Sequence, residues 1–216
     1  MIHKIYNNIS DDDLIKCWRN HYDQKGDILI NINGAIKSIS IKMGAKNEVH
    51  TENIHYFIEF LKENNIPYYI IKNYLEYHYG DGTLSGSGKK RMSVKEYKEK
   101  YQNKIDLINK YFANYQFLIN CIDRFILKGN NCNFRISGLI YGVPNDFLFL
   151  SSEEITALLL ENINMYSTGV HISSLFIQPV ARDLLFSGKY ENERHKIQVK
   201  WFNIFDDVMK SEFKKL

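Results

Sequence analysis

Two short segments of alternating isoleucines constrain this chain more than any other feature of its sequence. Residues 27–33 read DILININ, residues 36–43 read IKSISIKM, and Asn33-Gly34 stands at their junction. An Asn-Gly pair between alternating segments is the strongest short-range signal for a β-hairpin, because both turn residues must adopt positive φ. The sequence therefore predicts a hairpin over residues 27–43.

A two-residue turn determines which residues of the hairpin lie opposite each other. The predicted pairs are Ile32–Ala35, Asn31–Ile36, Ile30–Lys37, Leu29–Ser38, Ile28–Ile39 and Asp27–Ser40. Alternate residues of a strand share a face, so Asp27, Ser40 and Lys42 are expected on one face and most isoleucines on the other. A three-residue loop would shift this register.

Two further acids follow the hairpin and complete a set suited to phosphodiester hydrolysis. Glu48 and Glu52 come shortly after Lys42, at the expected start of a helix capped by Thr51. Carboxylates are the ligands that Mg²⁺ prefers, and a bound metal lowers the pKa of its water. Lysine can orient or deprotonate that water and offset charge on the phosphate. An acid in a first helical turn is also favoured by the helix dipole alone, so Glu52 has a structural interpretation too.

This arrangement resembles the PD-(D/E)xK nuclease superfamily, which has the restriction-endonuclease-like fold. The resemblance covers about residues 10–65, as helix, hairpin and helix, with Asp27 on one strand and Ser40-Ile41-Lys42 on the next. Ser40 stands where the family usually has its second acid. The chain is therefore similar to the variant of some type II restriction enzymes that carries SxK and an acid on the following helix. Gly26 stands where a proline usually precedes the aspartate.

The resemblance implies a function and a role for each site residue. Asp27 and Glu52 would bind Mg²⁺, with Glu48 as the rival to Glu52. Lys42 would activate water, and Ser40 would mark the vacated acid position. The implied activity is cleavage of double-stranded DNA at a specific site, leaving 5′-phosphate and 3′-hydroxyl ends. A palindromic site would imply a homodimer, since two-fold protein symmetry matches two-fold DNA symmetry.

Two other interpretations of the same residues stay open. One is a non-specific or structure-specific nuclease of repair or defence, for which RNA is not excluded as substrate. The other is a catalytically inactive module of the same fold that binds nucleic acid or protein. For His50 a role at the site and a DNA contact are both open, and a partly buried, hydrogen-bonded loop histidine is the favoured interpretation.

The rest of the chain predicts a mixed α/β fold with helical elaborations, formed by a single domain over residues 1–216. Helices are expected from Ser10 to about Gly26, from Thr51 to about Asn65, over 93–127 and over 151–161, and at the end of the chain. Strands are expected at 134–141 and 170–177. Residues 68–79 fit either a strand or a short helix, and residues 80–88 are expected to form a flexible loop.

Candidate DNA contacts lie in two parts of the chain. One is the basic triplet Lys89-Lys90-Arg91. It lies in the segment 80–130, which is expected to be an insertion, made of a loop and a long helix, between elements of the nuclease fold. The other is the region 165–216, whose side chains are of kinds that read bases or bind phosphates. In this region the candidates are His171, Gln178, Arg182, Arg194, Gln198 and Lys200.

Composition sets the remaining limits on function. The net charge is +3 at pH 7, which permits an anionic partner without requiring one. No apolar segment approaches the roughly 20 residues of a membrane span. The first residues lack the pattern of a signal peptide, and the three cysteines show no CxxC spacing. We therefore expect a cytoplasmic protein without a disulfide framework.

Overall fold

The structure is a computed structural model, which describes residues 9–10, 12–21, 25–43, 47–129, 134–163, 169–180 and 191–211. The chain divides into two compact units. The first unit comprises Met1–Asn47, Ile119–Glu161 and Asn203–Leu216, and the second comprises Glu48–Leu118 and Asn162–Phe202.

The described elements follow each other in this order. They are β1 (Ile15–Arg19), β2 (Ile28–Ile32), β3 (Ala35–Lys42), β4 (Glu48–Asn53), α1 (Ile54–Glu63), α2 (Tyr68–Tyr79), α3 (Val94–Phe112), α4 (Tyr115–Ile122), a π-helical turn (Asp123–Lys128), β5 (Gly138–Val143), β6 (Asp146–Ser151), α5 (Ser152–Glu161), β7 (His171–Ile172), β8 (Leu175–Pro179), a 3₁₀ turn (Asn192–His195), β9 (Lys196–Lys200) and α6 (Ile204–Lys210). The predicted mixed α/β class is confirmed.

A five-stranded mixed sheet forms the centre of the first unit. Its strand order is β1-β2-β3-β5-β6, and only β3 and β5 run parallel. The chain between these two parallel strands includes Glu48–Leu118, which belong to the second unit, and it returns to the first unit at Ile119. Helix α5 packs against β5 and β6.

The hairpin of β2 and β3 has the register that the turn chemistry predicts. Asn33 and Gly34 adopt φ of 51° and 92°, and the five pairs from Ile32–Ala35 to Ile28–Ile39 are confirmed. Buried Ile30 and Ile39 pack on one face with Ile140 of the neighbouring strand β5. The isoleucine face is therefore part of the core of this unit.

The first predicted helix is wrong, because residues Ile15–Arg19 form strand β1. This segment pairs antiparallel with β2 along its whole length, from Ile15 opposite Ile32 to Arg19 opposite Ile28. Most of β1 is exposed, so its apolar residues do not form the buried stripe of an amphipathic helix. The free edge of β2 provides hydrogen bonds that a local sequence pattern does not reveal.

A second sheet, antiparallel throughout and ordered β4-β9-β8-β7, organises the second unit. Thr51 was expected to cap a helix, but it lies within β4, and Asn53 caps α1 by accepting a hydrogen bond from the His55 amide. The helical prediction is therefore wrong for residues 51–53 and correct from Ile54 onwards. Pairing with β9, far along the chain, makes β4 a strand.

Three further boundaries differ from the sequence prediction. The long helix expected over 93–127 is interrupted at Ala113 and Asn114 between α3 and α4, and it ends in the π-helical turn. The strand expected at 134–141 begins only at Gly138. The strand expected at 170–177 is a hairpin of β7 and β8, whose turn places Ser173 at a φ of 52°. Residues 68–79, which the sequence left undecided, form helix α2.

Aromatic side chains fill the interior of the second unit. Tyr74 of α2 is buried and packs edge-on against Phe57 of α1, with ring centroids 5.1 Å apart, and it also contacts Phe112 of α3. Burial raises the pKa of Tyr74 well above its ordinary value. In the described part of the chain, no helix is long and apolar enough to cross a membrane.

We predict opposite outcomes for two substitutions of Tyr74. Among the described residues its buried hydroxyl has no hydrogen-bond partner, so Tyr74→Phe removes an unsatisfied polar group and leaves stability unchanged or raised. Tyr74→Ala also removes the ring and should lower the free energy of unfolding by about 3–5 kcal/mol. Urea denaturation of both variants measures this, and a loss above about 1 kcal/mol in Tyr74→Phe would show that the hydroxyl is bonded.

Candidate functional site

The Asp27 side chain is held at the open end of the β2–β3 hairpin, where the chain enters β2 beside the last residues of β3. Its amide donates to the Ile39 carbonyl at 2.8 Å, which continues the hairpin ladder by one residue. Its carboxylate oxygen Oδ2 accepts hydrogen bonds from the Ile41 amide at 2.6 Å and from the Ser40 hydroxyl at 3.1 Å. Asp27 is exposed while Ser40 is buried, so a fixed carboxylate is presented to solvent.

The residue before the aspartate must be small for this contact to form. A Cβ atom on Gly26 would lie 1.9 Å from the hydroxyl oxygen of Ser38. The Gly26 carbonyl also accepts a hydrogen bond from the Asn20 side chain at 2.9 Å. Glycine therefore lets the chain approach β3 closely enough for Asp27 to reach Ser40 and Ile41.

Lys42 ends β3 on the face that carries Ser40. Its side chain is half-buried, and its ammonium forms no hydrogen bond or ion pair within the described part of the chain. Lys42 pairs with Tyr141 of the parallel strand β5, so both residues lie near the carboxyl ends of parallel strands. In open α/β sheets, ligands bind in the crevice outside these ends.

The two candidate glutamates lie on opposite faces of β4, in the second unit. Glu52 has a side chain only 1% exposed, and its Oε2 lies 3.5 Å from Nε2 of buried His50. Glu48 is exposed, and it accepts hydrogen bonds from the Thr51 hydroxyl at 2.8 Å and from the Gln198 amide. Glu52 was expected in the first turn of a helix, and it lies instead within β4, directly before the N-cap residue Asn53 of α1.

The hairpin offers a metal one carboxylate oxygen, Oδ1 of Asp27. Within the described part of the chain, Oδ1 of Asp27 accepts no hydrogen bond, and an exposed carboxylate oxygen fits a hard cation such as Mg²⁺. No group of three or more His, Cys, Asp or Glu side chains that could hold a metal occurs among the described residues. Whether Glu52 or Glu48 joins Asp27 stays a prediction, because they belong to different units.

Two arginines expected to contact DNA make internal hydrogen bonds. Arg91 donates to the carbonyls of Tyr79 and His78 at 2.8 and 3.1 Å, at the end of α2. Arg194 is buried, and its guanidinium donates to the Asp81 carboxylate and to the Gly88 carbonyl. Both arginines therefore stabilise the second unit, whereas Lys89 and Lys90 are exposed.

Asp81 organises the loop over residues 80–88 that was expected to be flexible. Its carboxylate accepts hydrogen bonds from the amide and hydroxyl of Thr83 at 2.9 and 2.8 Å, and from the Gly88 amide at 3.0 Å. Burial acts to raise the pKa of Asp81, but these hydrogen bonds and the charge of Arg194 outweigh it and lower the pKa. The loop is thus fixed around one ionised carboxylate.

The remaining DNA-contact candidates occupy the second sheet. Gln178 of β8 and Gln198 of β9 lie directly opposite each other, with a hydrogen bond of 3.1 Å between their amides, and Lys200 follows on the same face. His171 is buried and bonds through Nδ1 to the Gly169 carbonyl at 2.8 Å. Arg182 lies outside the described residues.

Sequence reasoning missed two aromatic residues beside these glutamines. Phe176 lies two residues before Gln178 on β8, and Phe202 packs edge-on against it, with centroids 5.3 Å apart. The alternation in KIQVK at 196–200 already indicates a strand with one polar face, and it could have grouped Gln198 with Lys200. No pattern in the local sequence indicates that β8 pairs with β9.

Comparison with known proteins identified no relatives: no family model matches the chain, and no curated protein is significantly similar to it.

We predict that Arg194→Ala destabilises the second unit. Removing one partner of a buried ion pair typically costs about 3–5 kcal/mol, because the other charge is left buried. Asp81→Asn should also destabilise, and it should flatten the loss of stability in acid. Since the pKa of Asp81 is depressed in the folded state, its contribution is complete above the unfolded pKa of about 4 and is lost as the pH falls through the folded value.

Urea denaturation between pH 2 and pH 7 measures both effects. The exposed pair Lys62–Glu59 provides the control, because Lys62→Ala removes an ion pair that is open to solvent. If Arg194→Ala is no more destabilising than Lys62→Ala, the Asp81 ion pair is not what fixes the loop.

Proposed function

We propose that this protein is a Mg²⁺-dependent endonuclease that hydrolyses phosphodiester bonds of double-stranded DNA. The observation that carries this proposal is the fixed carboxylate of Asp27 beside β3. One oxygen, Oδ2, is bonded to Ser40 and Ile41, while Lys42 extends the same face of β3. The arrangement matches the Asp and SxK residues on which the resemblance to PD-(D/E)xK nucleases rests.

The departures from that family also bear on the proposal. The first helix of the expected helix–hairpin–helix order is replaced by strand β1, and Glu52 lies on a strand. The support therefore comes from the hairpin itself, whose predicted register brings Asp27 and Ser40 together. Ser40, which stands where the resemblance would place the second acid, donates a hydrogen bond from its hydroxyl to Asp27.

Asp27 and Lys42 would have different roles in this chemistry. Asp27 would hold Mg²⁺ through Oδ1, and the bound metal would supply a water of lowered pKa and polarise the phosphate. The hydrogen bonds to Oδ2 hold this carboxylate in place. Lys42 would orient the attacking water, and its positive charge would offset the charge that develops on the phosphate. The water would lose a proton to solvent and add to phosphorus, the bond from phosphorus to the 3′ oxygen would break, and that oxygen would leave as a hydroxyl with a proton from solvent.

A site-specific restriction enzyme is the form of this activity that we propose. Cutting both strands of a palindromic site with one active site per chain requires two copies of the chain related by a two-fold axis. The proposed assembly is therefore a homodimer on duplex DNA. A smear of products, rather than discrete bands, would favour a non-specific nuclease.

The central prediction concerns cleavage of plasmid and phage DNA by the purified protein. With Mg²⁺ we expect discrete fragments, and with EDTA none. Asp27→Asn and Lys42→Ala should each lower the cleavage rate by about 10²–10⁴-fold, because each removes a group that acts in the transition state. Lys37→Ala is the matched control, since Lys37 lies on the opposite face of the same strand.

Two results would contradict the proposal. If the wild-type protein binds DNA but cleaves none under any divalent metal, the inactive module is the better interpretation. If Asp27→Asn retains full activity, the cleavage arises elsewhere. Thermal unfolding of each variant identifies those that fail to fold.

Substitution of the two glutamates identifies the second acid. Both carboxylate oxygens of Glu48 accept hydrogen bonds, and Glu52 lies on the other face of β4 with its Oε2 3.5 Å from Nε2 of His50. At DNA concentrations that saturate each variant, we expect Glu52→Gln to lower the cleavage rate by about 100-fold or more and Glu48→Gln to lower it by less. Single-turnover rates at saturating Mg²⁺ provide the measurement, and the reverse ranking would assign the role to Glu48.

A further inference from the structure

One face of the second sheet carries two rows of side chains across three strands, and all of them are polar except Phe176. Thr51, Gln198 and Gln178 form one row in register, and Glu48, Lys200 and Phe176 form the other. The strands alternate between buried and more exposed residues, so this face lies opposite the core of the unit.

A β-bulge places Glu48 on this face. Glu48 pairs with Lys200, and Thr51 pairs with Gln198, so that Val49 and His50 together lie opposite Val199. Because of the extra residue, Glu48 and Thr51 point to the same side although they are three positions apart. Both Val49 and His50 are buried on the other side.

A continuous chain of hydrogen bonds connects these side chains. Gln198 donates through Nε2 to Glu48, and Gln178 donates through Nε2 to Oε1 of Gln198 at 3.1 Å. We call Glu48, Gln198 and Gln178 the amide strip. An ionised carboxylate can only accept, so Glu48 forces Gln198 to present its amino group, and Gln198 then presents its oxygen to Gln178.

This polarity leaves the outer end of the amide strip with a defined hydrogen-bonding pattern. An amide has two N–H donors and an acceptor oxygen. Within the described part of the chain, Gln178 uses one N–H, which leaves the other N–H and its oxygen for a ligand. A donor and an acceptor side by side match N7 and the N6 amino group of adenine in the major groove.

The length of the amide strip across the three strands can be compared with the widths of the two grooves of B-DNA. Neighbouring strands lie about 4.8 Å apart, so three strands span about 10 Å. The major groove of B-DNA is about 12 Å wide, and the minor groove is about 6 Å wide. The row of side chains in the amide strip is therefore shorter than the width of the major groove and longer than the width of the minor groove.

The second row supplies a cation and an apolar surface. Lys200 lies over the ring of Phe202, with its ammonium 5.6 Å from the centroid, and Phe202 is 41% exposed. Lys200 forms no ion pair within the described residues, whereas Lys196 bonds to Glu193 at 2.7 Å. A lysine at the margin of the strip is placed to contact a phosphate, and the negative charge of Glu48 would favour the amino group of cytosine.

We infer that the amide strip reads base edges in the major groove of duplex DNA, with Gln178 recognising adenine and Glu48 acting as a specificity residue. The inference rests on the proposed function for the choice of DNA as partner. It assigns to Glu48 a role apart from metal binding.

The test measures binding without cleavage, in EDTA. A duplex library with a randomised central segment is selected by the wild-type protein and sequenced, and fluorescence anisotropy then gives affinities for the preferred duplex and for a scrambled one. We expect Gln178→Ala and Gln198→Ala to weaken binding of the preferred duplex by about tenfold or more and to change binding of the scrambled duplex by less than about twofold. Glu48→Gln should alter the preferred sequence.

Matched controls come from helix α3 of the same unit. Gln102 donates to Asp106 at 2.8 Å, which reproduces an amide–carboxylate contact outside the sheet. Gln102→Ala and Asp106→Asn should leave affinity and preference unchanged. If Gln198→Ala fails to fold, Gln178→Ala decides, because Gln178 ends the strip and supports no further residue of it.

Several outcomes would overturn the inference. They are wild-type affinity in the strip variants, an equal loss for preferred and scrambled duplexes, or tighter binding of RNA than of duplex DNA by the wild-type protein. Sequence-selective binding that the strip variants lose, without any cleavage, would support the inference while contradicting the proposed nuclease activity. Site-specific cleavage that the strip variants retain would support the nuclease and contradict the inference.

Discussion

The register of the β2–β3 hairpin is the constraint on which the candidate site depends. Side chains alternate between faces, so a shift of one residue would move Ser40 and Lys42 to the isoleucine face. Two independent features prevent this shift: the positive φ values of the Asn33-Gly34 turn and the burial of Ile39. The contact between Asp27 and Ser40 is therefore a consequence of turn chemistry and core packing, and the site inherits its geometry from both.

The sequence was sufficient to predict the parts of the fold that local chemistry determines. The Asn-Gly turn gave the hairpin pairs residue by residue, and the acidic first turn of Ser152–Glu161 gave helix α5. Strands β1 and β4 were interpreted as helix because their partners are distant or unmarked in the sequence. Hydrogen bonds to another strand outweigh local propensity, which amounts to only a few tenths of a kcal/mol per residue.

The same distinction explains which candidate contacts have partners within their own unit. Arg194 and Arg91 have the residue type of a DNA contact, but their guanidinium groups satisfy carbonyls and a carboxylate of their own unit. Residue type indicates what a side chain can bind, and only the fold decides whether a partner within the chain is nearer. Gln178 and Gln198 are different, because their mutual contact leaves hydrogen-bonding groups available within the described part of the chain.

The two glutamates of β4 show how a β-bulge gives one short strand two different carboxylate environments. Without the bulge at Val49 and His50, Glu48 and Glu52 would share a face, since they lie an even number of positions apart. The extra residue separates them, so that Glu52 is buried beside His50 while Glu48 faces solvent with Thr51 and Gln198. The bulge is thus the local feature that lets a single short strand supply one buried and one exposed carboxylate.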